Sequence, residues 1–372
     1  MINIIDKTLL DVTQRAILPH LLLTGTLIEK AIEQETRTES CVTITAMPDL
    51  GLADNPIRMS GGFFTGMHIE WNATLPFVPV DATVNCCGVS VFALNGPLSP
   101  AEFLAGVERA KKQAGKFRYR WNFECGNHFM ILGQTSKGEY CAVLHASADE
   151  YKKSLSGRAL YPVPGVWYEP EVKTVFSEAS GRYLRYLAGS PAQRFISIAQ
   201  QLEKINRERM QAFAGWVFEN KITDELHYVP HYGMPTESSI AIGCSWNPQK
   251  SVLLTVPGKN LFLIENNEEG TATWLAPHGF GAEVPNPVII YNGQGLHING
   301  ALITNKETVA ALPGKKIRNI HSSNEEIATK VDHILRTVNA KIVTRIKPLM
   351  TISKDGFAVH EKGATYGTEK NN

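Results

Sequence analysis

The chain has 372 residues, 43% hydrophobic and 20% charged, which are the proportions of a folded protein with a sizeable core and exclude a disordered one. Its formal charge of +1 gives no global attraction to nucleic acid, so any such binding has to come from a local patch. Six cysteines in a chain this long make no disulfide framework, and the adjacent pair Cys86-Cys87 is poorly placed to bridge, which leaves free thiols or metal ligands.

The opening stretch MINIIDKTLLDVTQRAILPHLLLTG interrupts its apolar residues with Asp6, Lys7, Asp11, Arg15 and Pro19. It reads as neither a secretion signal nor a membrane span, and no later run reaches about 18 apolar residues. A cytoplasmic protein without a membrane partner is the expectation. The β-branched run CVTITAM follows, then ATVNCCGVSVFAL, both strand-like. SPAEFLAGVERAKKQAG announces a helix: Ser99 as N-cap, Pro100 at the first position, Glu102 completing a capping box, and Gly115 as a stop. HFMIL and YCAVLHA read as a hairpin around a glycine-containing turn. SPAQRFISIAQQLEKINRERM repeats the helix start with Ser190, Pro191 and Gln193, and puts Phe195, Ile198, Leu202 and Ile205 on one face. The runs SSIAIGC, SVLLTV, NLFLIE and PVIIYNG precede a third helix that starts at Ser323 and Glu326 and turns Ile327, Val331, Ile334 and Val338 inward; KIVTRIKPLMTIS closes the series. Strands outnumber helices and do not alternate with them, which predicts an α+β fold and not a doubly wound one. Without repeats or a low-complexity linker, residues 1–358 read as one domain and residues 359–372 as a C-terminal tail.

Four histidines share one setting. His128 follows Gly126-Asn127, His145 ends AVLH before Ala146 and Ser147, His231 lies in HYVPHYG, and His278 in APHGFG. A lone histidine at a strand end is usually structural, but each of these stands where an apolar strand meets a small-residue turn, the place where folds converge side chains on a site. A thiolate from Cys86 or Cys87 would complete a mixed nitrogen and sulfur set suited to Mn, Zn, Fe or Co. Directly before His128, Lys111, Lys112, Lys116, Arg118 and Arg120 interleave with Phe117, Tyr119 and Trp121. That pattern fits RNA, and equally a solvated helix end followed by an ordinary strand.

These segments resemble, in order over about 310 residues, the motifs of the RtcB family of RNA-splicing ligases: MPDLGLADNPIRMSGG, VNCCGV, CGNHFMIL, VLHAS, INRERM, VPHYG, TVPGKN, PHGFGA and RIKPLMTISKDG. The resemblance implies a single RtcB-like α+β domain, with mixed and antiparallel sheets and flanking helices around a central metal site. It implies two Mn²⁺ ions held by Cys87 (or Cys86), His128, His145 and His231, and His278 as the nucleophile that takes GMP from GTP. Asn127, Pro257, Gly258, Gly279, Gly281 and Lys354 are implied as nucleotide contacts, with Lys116, Arg118 and Arg120 on the RNA. The implied reaction joins an RNA 3′-phosphate or 2′,3′-cyclic phosphate to a 5′-hydroxyl, in tRNA splicing or RNA repair, with an archease-type activator as a further partner.

The sequence also departs from the family pattern. Val84 (or Thr83) stands where the family has an acidic metal ligand, Gly51 where it has a histidine, and Ala282 where it has an arginine, and the His145 loop HASADEY lacks its arginine. The segment VHEKGATYG at residues 359–367 resembles a loop the family carries earlier in the chain, and as part of the tail it could fold over the nucleotide. The alternatives these departures raise are a metal-dependent RNA-end phosphoesterase and a non-catalytic RNA-binding relative.

Overall fold

The computed structural model describes residues 1–5, 11–149, 157–246, 248–255, 258–268, 274–279, 281–292, 294–317, 324–361 and 364–365. The helix Pro100–Lys116 forms as its start predicts: Ser99 accepts the Glu102 N–H, and the Glu102 carboxylate takes the Ser99 N–H at 2.7 Å. The helix Ser190–Phe218 begins differently. Gly189, at φ 68°, occupies the N-cap, so Ser190 is already helical and the Gln193 side chain donates to Glu237; the expected capping box does not form. The third helix runs Asn324–Thr337 and buries Ile327, Val331 and Ile334, while Ser323 lies outside the described residues.

A further long helix, Val12–Thr36, was not marked by those signals because Pro19 stands inside it. Asp11 and Gln14 cap it reciprocally, and Pro19 falls on its exposed side, where solvent can take over the hydrogen bond a proline removes.

The largest sheet runs antiparallel through Ile222–Pro230, Gly88–Leu94, Tyr140–Ala146, Phe129–Thr135, Ala340–Ser353, Leu261–Asn266 and Lys250–Leu253. Its first and last strands touch, so the sheet curls on itself. Alternation does the sorting. Val89, Val91, Phe129, Ile131, Val143 and Leu263 form one apolar cluster, while Phe92, Met130, Leu132, Ala142 and Leu144 pack with Phe103, Val107, Met210 and Phe213 of the helices Pro100–Lys116 and Ser190–Phe218. Pro348 is tolerated inside Ala340–Ser353 because the pairing slips between Pro348 and Met350, a bulge. The strand Gly356–Glu361 pairs with Ala340–Ser353, so the boundary expected after residue 358 falls inside a strand.

A second sheet orders Ile2–Ile4, Val42–Gly51, Thr65–Trp71, Ser239–Ile242 and Tyr232–Gly233; its first pair is parallel and the rest are antiparallel. The helix Val12–Thr36 covers it through Ile17, Leu21 and Ile28. Helices and sheets are thus mixed without βαβ alternation, an α+β arrangement. No helix among the described residues is long and apolar enough to cross a membrane.

The strand register decides where the site lies. Gly88 pairs with both Ala146 and Pro230, and His145 with both Val89 and Phe129. The start of one hairpin strand, the end of the other, the Cys87 loop and the turn after Pro230 therefore meet at one end of the sheet.

Candidate metal and nucleophile site

Four side chains converge at that end. Cys87 Sγ lies 3.3 Å from His145 Nε2 and 3.7 Å from His128 Nε2, and His145 Nε2 lies 3.2 Å from His231 Nε2. Cys87, His145 and His231 are buried and bring their ligand atoms within 4.8 Å of one another. A tetrahedral ion with bonds of about 2.0–2.3 Å has ligand-to-ligand edges of about 3.3–3.8 Å, so the spacing fits a metal ion.

The choice between the two cysteines is resolved by backbone conformation. The run ATVNCCGVSVFAL is regular only from Gly88 onward, and Cys86, at φ 52°, turns its Sγ to the carbonyl of Ala199. That leaves Cys87 facing the imidazoles.

The imidazoles are oriented by groups behind them. His145 Nδ1 is 2.9 Å from the Asn127 carbonyl and His128 Nδ1 is 3.2 Å from the Asn122 carbonyl. A carbonyl only accepts, so each proton sits on Nδ1 and the Nε2 lone pair points to Cys87. Burial, reinforced by the neighbouring imidazoles, holds His145 and His231 well below the usual histidine range. Both are neutral at pH 7, the form that binds a metal.

A polar brace from the helix Ser190–Phe218 locks these loops, through residues the sequence did not single out individually. Asn206 Nδ2 donates to the Cys86 carbonyl at 3.2 Å and to the Ala146 carbonyl at 2.9 Å. Arg209 Nη2 donates to Asn122 Oδ1 at 2.6 Å, and Asn122 Nδ2 to the Ser147 carbonyl at 2.7 Å. The segment INRERM could have indicated Asn206 and Arg209, being two buried polar residues on the otherwise apolar face of a helix.

His278 stands beside this group, its ring 5.1 Å from that of His231. Its Nδ1 lies 2.9 Å from Asp49 Oδ2, which also accepts the Gly279 N–H at 2.9 Å. A carboxylate accepts, so the Nδ1 proton of His278 is given to Asp49, and in the neutral ring the lone pair is on Nε2. Main-chain bonds join the carrier loops: His231 N to Cys87 O, Cys244 N to His231 O, His278 N to Gly243 O and Leu254 N to His278 O.

A cavity of about 650 Å³ opens onto the group. Cys87, Asn127, His128, His231, His278 and Gly281 line it. Arg58, which lies within MPDLGLADNPIRMSGG, and Lys306 also line it. So does Asp149, whose Oδ1 lies 3.3 Å from Ser147 Oγ, itself 3.3 Å from His128 Nε2.

Other expected contacts lie away from the cavity lining. Lys354 is exposed and donates to Asp355. Gly258, at φ 93°, packs against the His360 ring, so the strand Gly356–Glu361 touches the TVPGKN loop; Pro257 lies outside the described residues. Lys116, Arg118 and Arg120 are exposed, with Phe117 and Tyr119 grouped around Trp216. They precede the Cys125–Asn127 stretch at the cavity edge. Gly279 serves Asp49 through its backbone.

The departures have structural accounts. Val84 is fully buried in the apolar core, and the nearby carboxylate, Asp81, is held by Arg185 through both oxygens at 3.0 and 3.1 Å. Neither supplies an acidic ligand. A Cβ on Gly51 would lie 2.7 Å from the Ala282 carbonyl oxygen, so no side chain fits there.

Fold and site together define an α+β protein with a buried thiol and imidazole cluster beside a carboxylate-held histidine. Neither the protein-family models nor the curated proteins compared with the chain match it.

Proposed function

We propose that the chain is a metal- and GTP-dependent RNA ligase that joins a 3′-phosphate or 2′,3′-cyclic phosphate end to a 5′-hydroxyl through GMP carried on His278. The observation that carries the proposal is the His278–Asp49 pair set beside the Cys87, His128, His145 and His231 group on one cavity. The ordered RtcB-like motifs support it, as does the nearness to one another of Cys87, His128, His145 and His231, the residues those motifs imply as ligands.

The roles are those the resemblance implies, set on this geometry. With Nδ1–H given to Asp49, His278 Nε2 is the nucleophilic nitrogen; it attacks the α-phosphorus of GTP, the bond to the bridging oxygen breaks, and pyrophosphate leaves. Water first opens a 2′,3′-cyclic phosphate to the 3′-phosphate; a 3′-phosphate oxygen then takes GMP as the bond to His278 Nε2 breaks, and the 5′-hydroxyl attacks the 3′-phosphorus and displaces GMP to seal the strand. Cys87, His128, His145 and His231 would hold the metal, which when bound offsets negative charge on the phosphate oxygens. Mn²⁺, two ions per site, is the identity the resemblance implies. A thiolate with three imidazoles also suits Zn²⁺, Co²⁺ or Fe²⁺. Lys116, Arg118 and Arg120, with Phe117 and Tyr119 beside them, would guide an RNA strand toward Asn127. Lys354 would reach guanylate only after leaving Asp355.

One observation favours a second reading, a phosphoesterase acting on RNA ends: Val84 and the Arg185-bound Asp81 leave the ligand group without the acidic member the motifs imply. Labelling with α-phosphate-labelled GTP and Mn²⁺ separates the two. The ligase predicts an acid-labile, denaturation-resistant adduct that disappears in His278→Ala. No adduct, or one that persists in His278→Ala, overturns the ligase reading.

A further inference from the structure

Arg58 is a buried guanidinium that forms no ion pair within 4.0 Å among the described residues. It belongs to the short helix Pro56–Ser60, capped by Asn55, and the residue is only 9% exposed. Nη2 donates to Thr65 Oγ1 at 2.8 Å, and the guanidinium lies 5.0 Å above the Tyr232 ring. Nε is buried and has no partner among the described residues, and no ion pair there includes Arg58. The acidic residues lining the same cavity are otherwise engaged or placed: Asp54 pairs with Lys315, Asp149 bonds Ser147 and Asn122, and Glu307 sits on the helix Lys306–Ala310. A guanidinium does not shed its proton, so a buried one without a counter-charge is costly unless an anion comes to it.

The position says which anion. Arg58 lines the cavity shared by His231 and His278. Thr65, which holds it, and the His278 ring press on the same residue, Gly243: a Cβ there would lie 2.8 Å from Thr65 Cγ2 and 2.7 Å from His278 Cε1. Tyr232, under the guanidinium, directly follows His231. We infer that Arg58 is the anion-binding residue of this cavity and receives a phosphate oxygen of the ligand that reacts beside His278. The inference deepens the ligase reading and rests on it for the identity of that ligand as a nucleoside triphosphate. It also places a guanidinium in the cavity although Ala282 and the His145 loop supply none. Arg58 and Cys87 line the same cavity, so a divalent ion held at Cys87 and the Arg58 cation would both attract an anion there, and metal and polyphosphate would each tighten the binding of the other.

The test is calorimetric titration of the Mn²⁺-loaded protein with pyrophosphate and with GTP, and of Mn²⁺ with and without pyrophosphate. Arg58→Gln and Arg58→Lys are compared with wild type, folding being checked by circular dichroism. Losing a charge-assisted fork should weaken pyrophosphate and GTP binding in Arg58→Gln by roughly 10- to 100-fold and reduce the tightening of Mn²⁺ by pyrophosphate. Arg58→Lys, which keeps the charge and loses the fork, should fall between; it decides the matter if the glutamine variant does not fold. A folded variant that binds pyrophosphate as tightly as wild type overturns the inference, as does acetate competing as well as phosphate. The two readings fail separately. Arg58-dependent pyrophosphate binding without a GMP adduct keeps the inference and sinks the ligase. Adduct formation at limiting GTP that is equal in wild type and Arg58→Gln sinks the inference and keeps the ligase.

Discussion

Asn206→Leu isolates the brace from the ligands it supports. Asn206 is fully buried, and its Nδ2 is shared between the carbonyls of Cys86 and Ala146, the residues flanking Cys87 and His145. Leucine has the same number and branching of side-chain heavy atoms and removes both bonds, leaving two buried carbonyls short of a donor. At about 1–3 kcal/mol for each unsatisfied group, less the gain from the added apolar surface, the loss of stability should be about 2–4 kcal/mol. Because the freed carbonyls belong to the two loops that set the Cys87–His145 distance, metal affinity should fall by roughly 10- to 100-fold. Urea denaturation gives the first quantity, and titration with Co²⁺, followed by its thiolate charge-transfer band, gives the second. Lowered stability with unchanged Co²⁺ affinity would refute the idea that this asparagine positions the ligands.

Three further outcomes are expected. Cys87→Ser should abolish the thiolate band of the Co²⁺ protein while Cys86→Ser leaves it, since the Cys86 Sγ contacts Ala199 instead; equal loss in both would contradict the assignment. Asp49→Asn should cut the rate of GMP transfer by roughly 100-fold or more by loosening the His278 tautomer, with Co²⁺ affinity unchanged, as measured by single-turnover labelling. His68 is buried, and burial lowers its pKa to about 4. Since that value lies below the unfolded one, its contribution is present above about pH 6.5 and is lost as pH falls toward 4, amounting to about 2 kcal/mol at pH 5. Unfolding free energies from urea titrations at pH 7 and pH 5 should differ less in His68→Phe than in wild type by that amount; an identical pH dependence would count against it.

Much of this was legible in the residues, and the limits are physical. The hairpin from His128 to His145 could be read because alternation and a glycine turn fix which strand ends coincide. The capping box at Ser99 is a local contract between residues three apart, and it forms. At Ser190 the same letters fail because Gly189, free to adopt positive φ, takes the cap first. Cys86 and Cys87 could not be separated, because the positive φ of Cys86 breaks the alternation that a strand would impose. Arg58, Asn122 and Asn206 were passed over individually because their meaning lies in partners far along the chain, Tyr232, Ser147 and Ala146. No spacing rule reaches them.

The most direct measurement of the central claim is strand joining itself. Purified protein with Mn²⁺ and GTP is given two RNA strands held by a splint, one ending in a 3′-phosphate and the other beginning with a 5′-hydroxyl, and the products are resolved by length. The account predicts a joined strand that depends on GTP and is lost in His278→Ala. Removal of the terminal phosphate without joining, or products that form equally well without GTP, would contradict it.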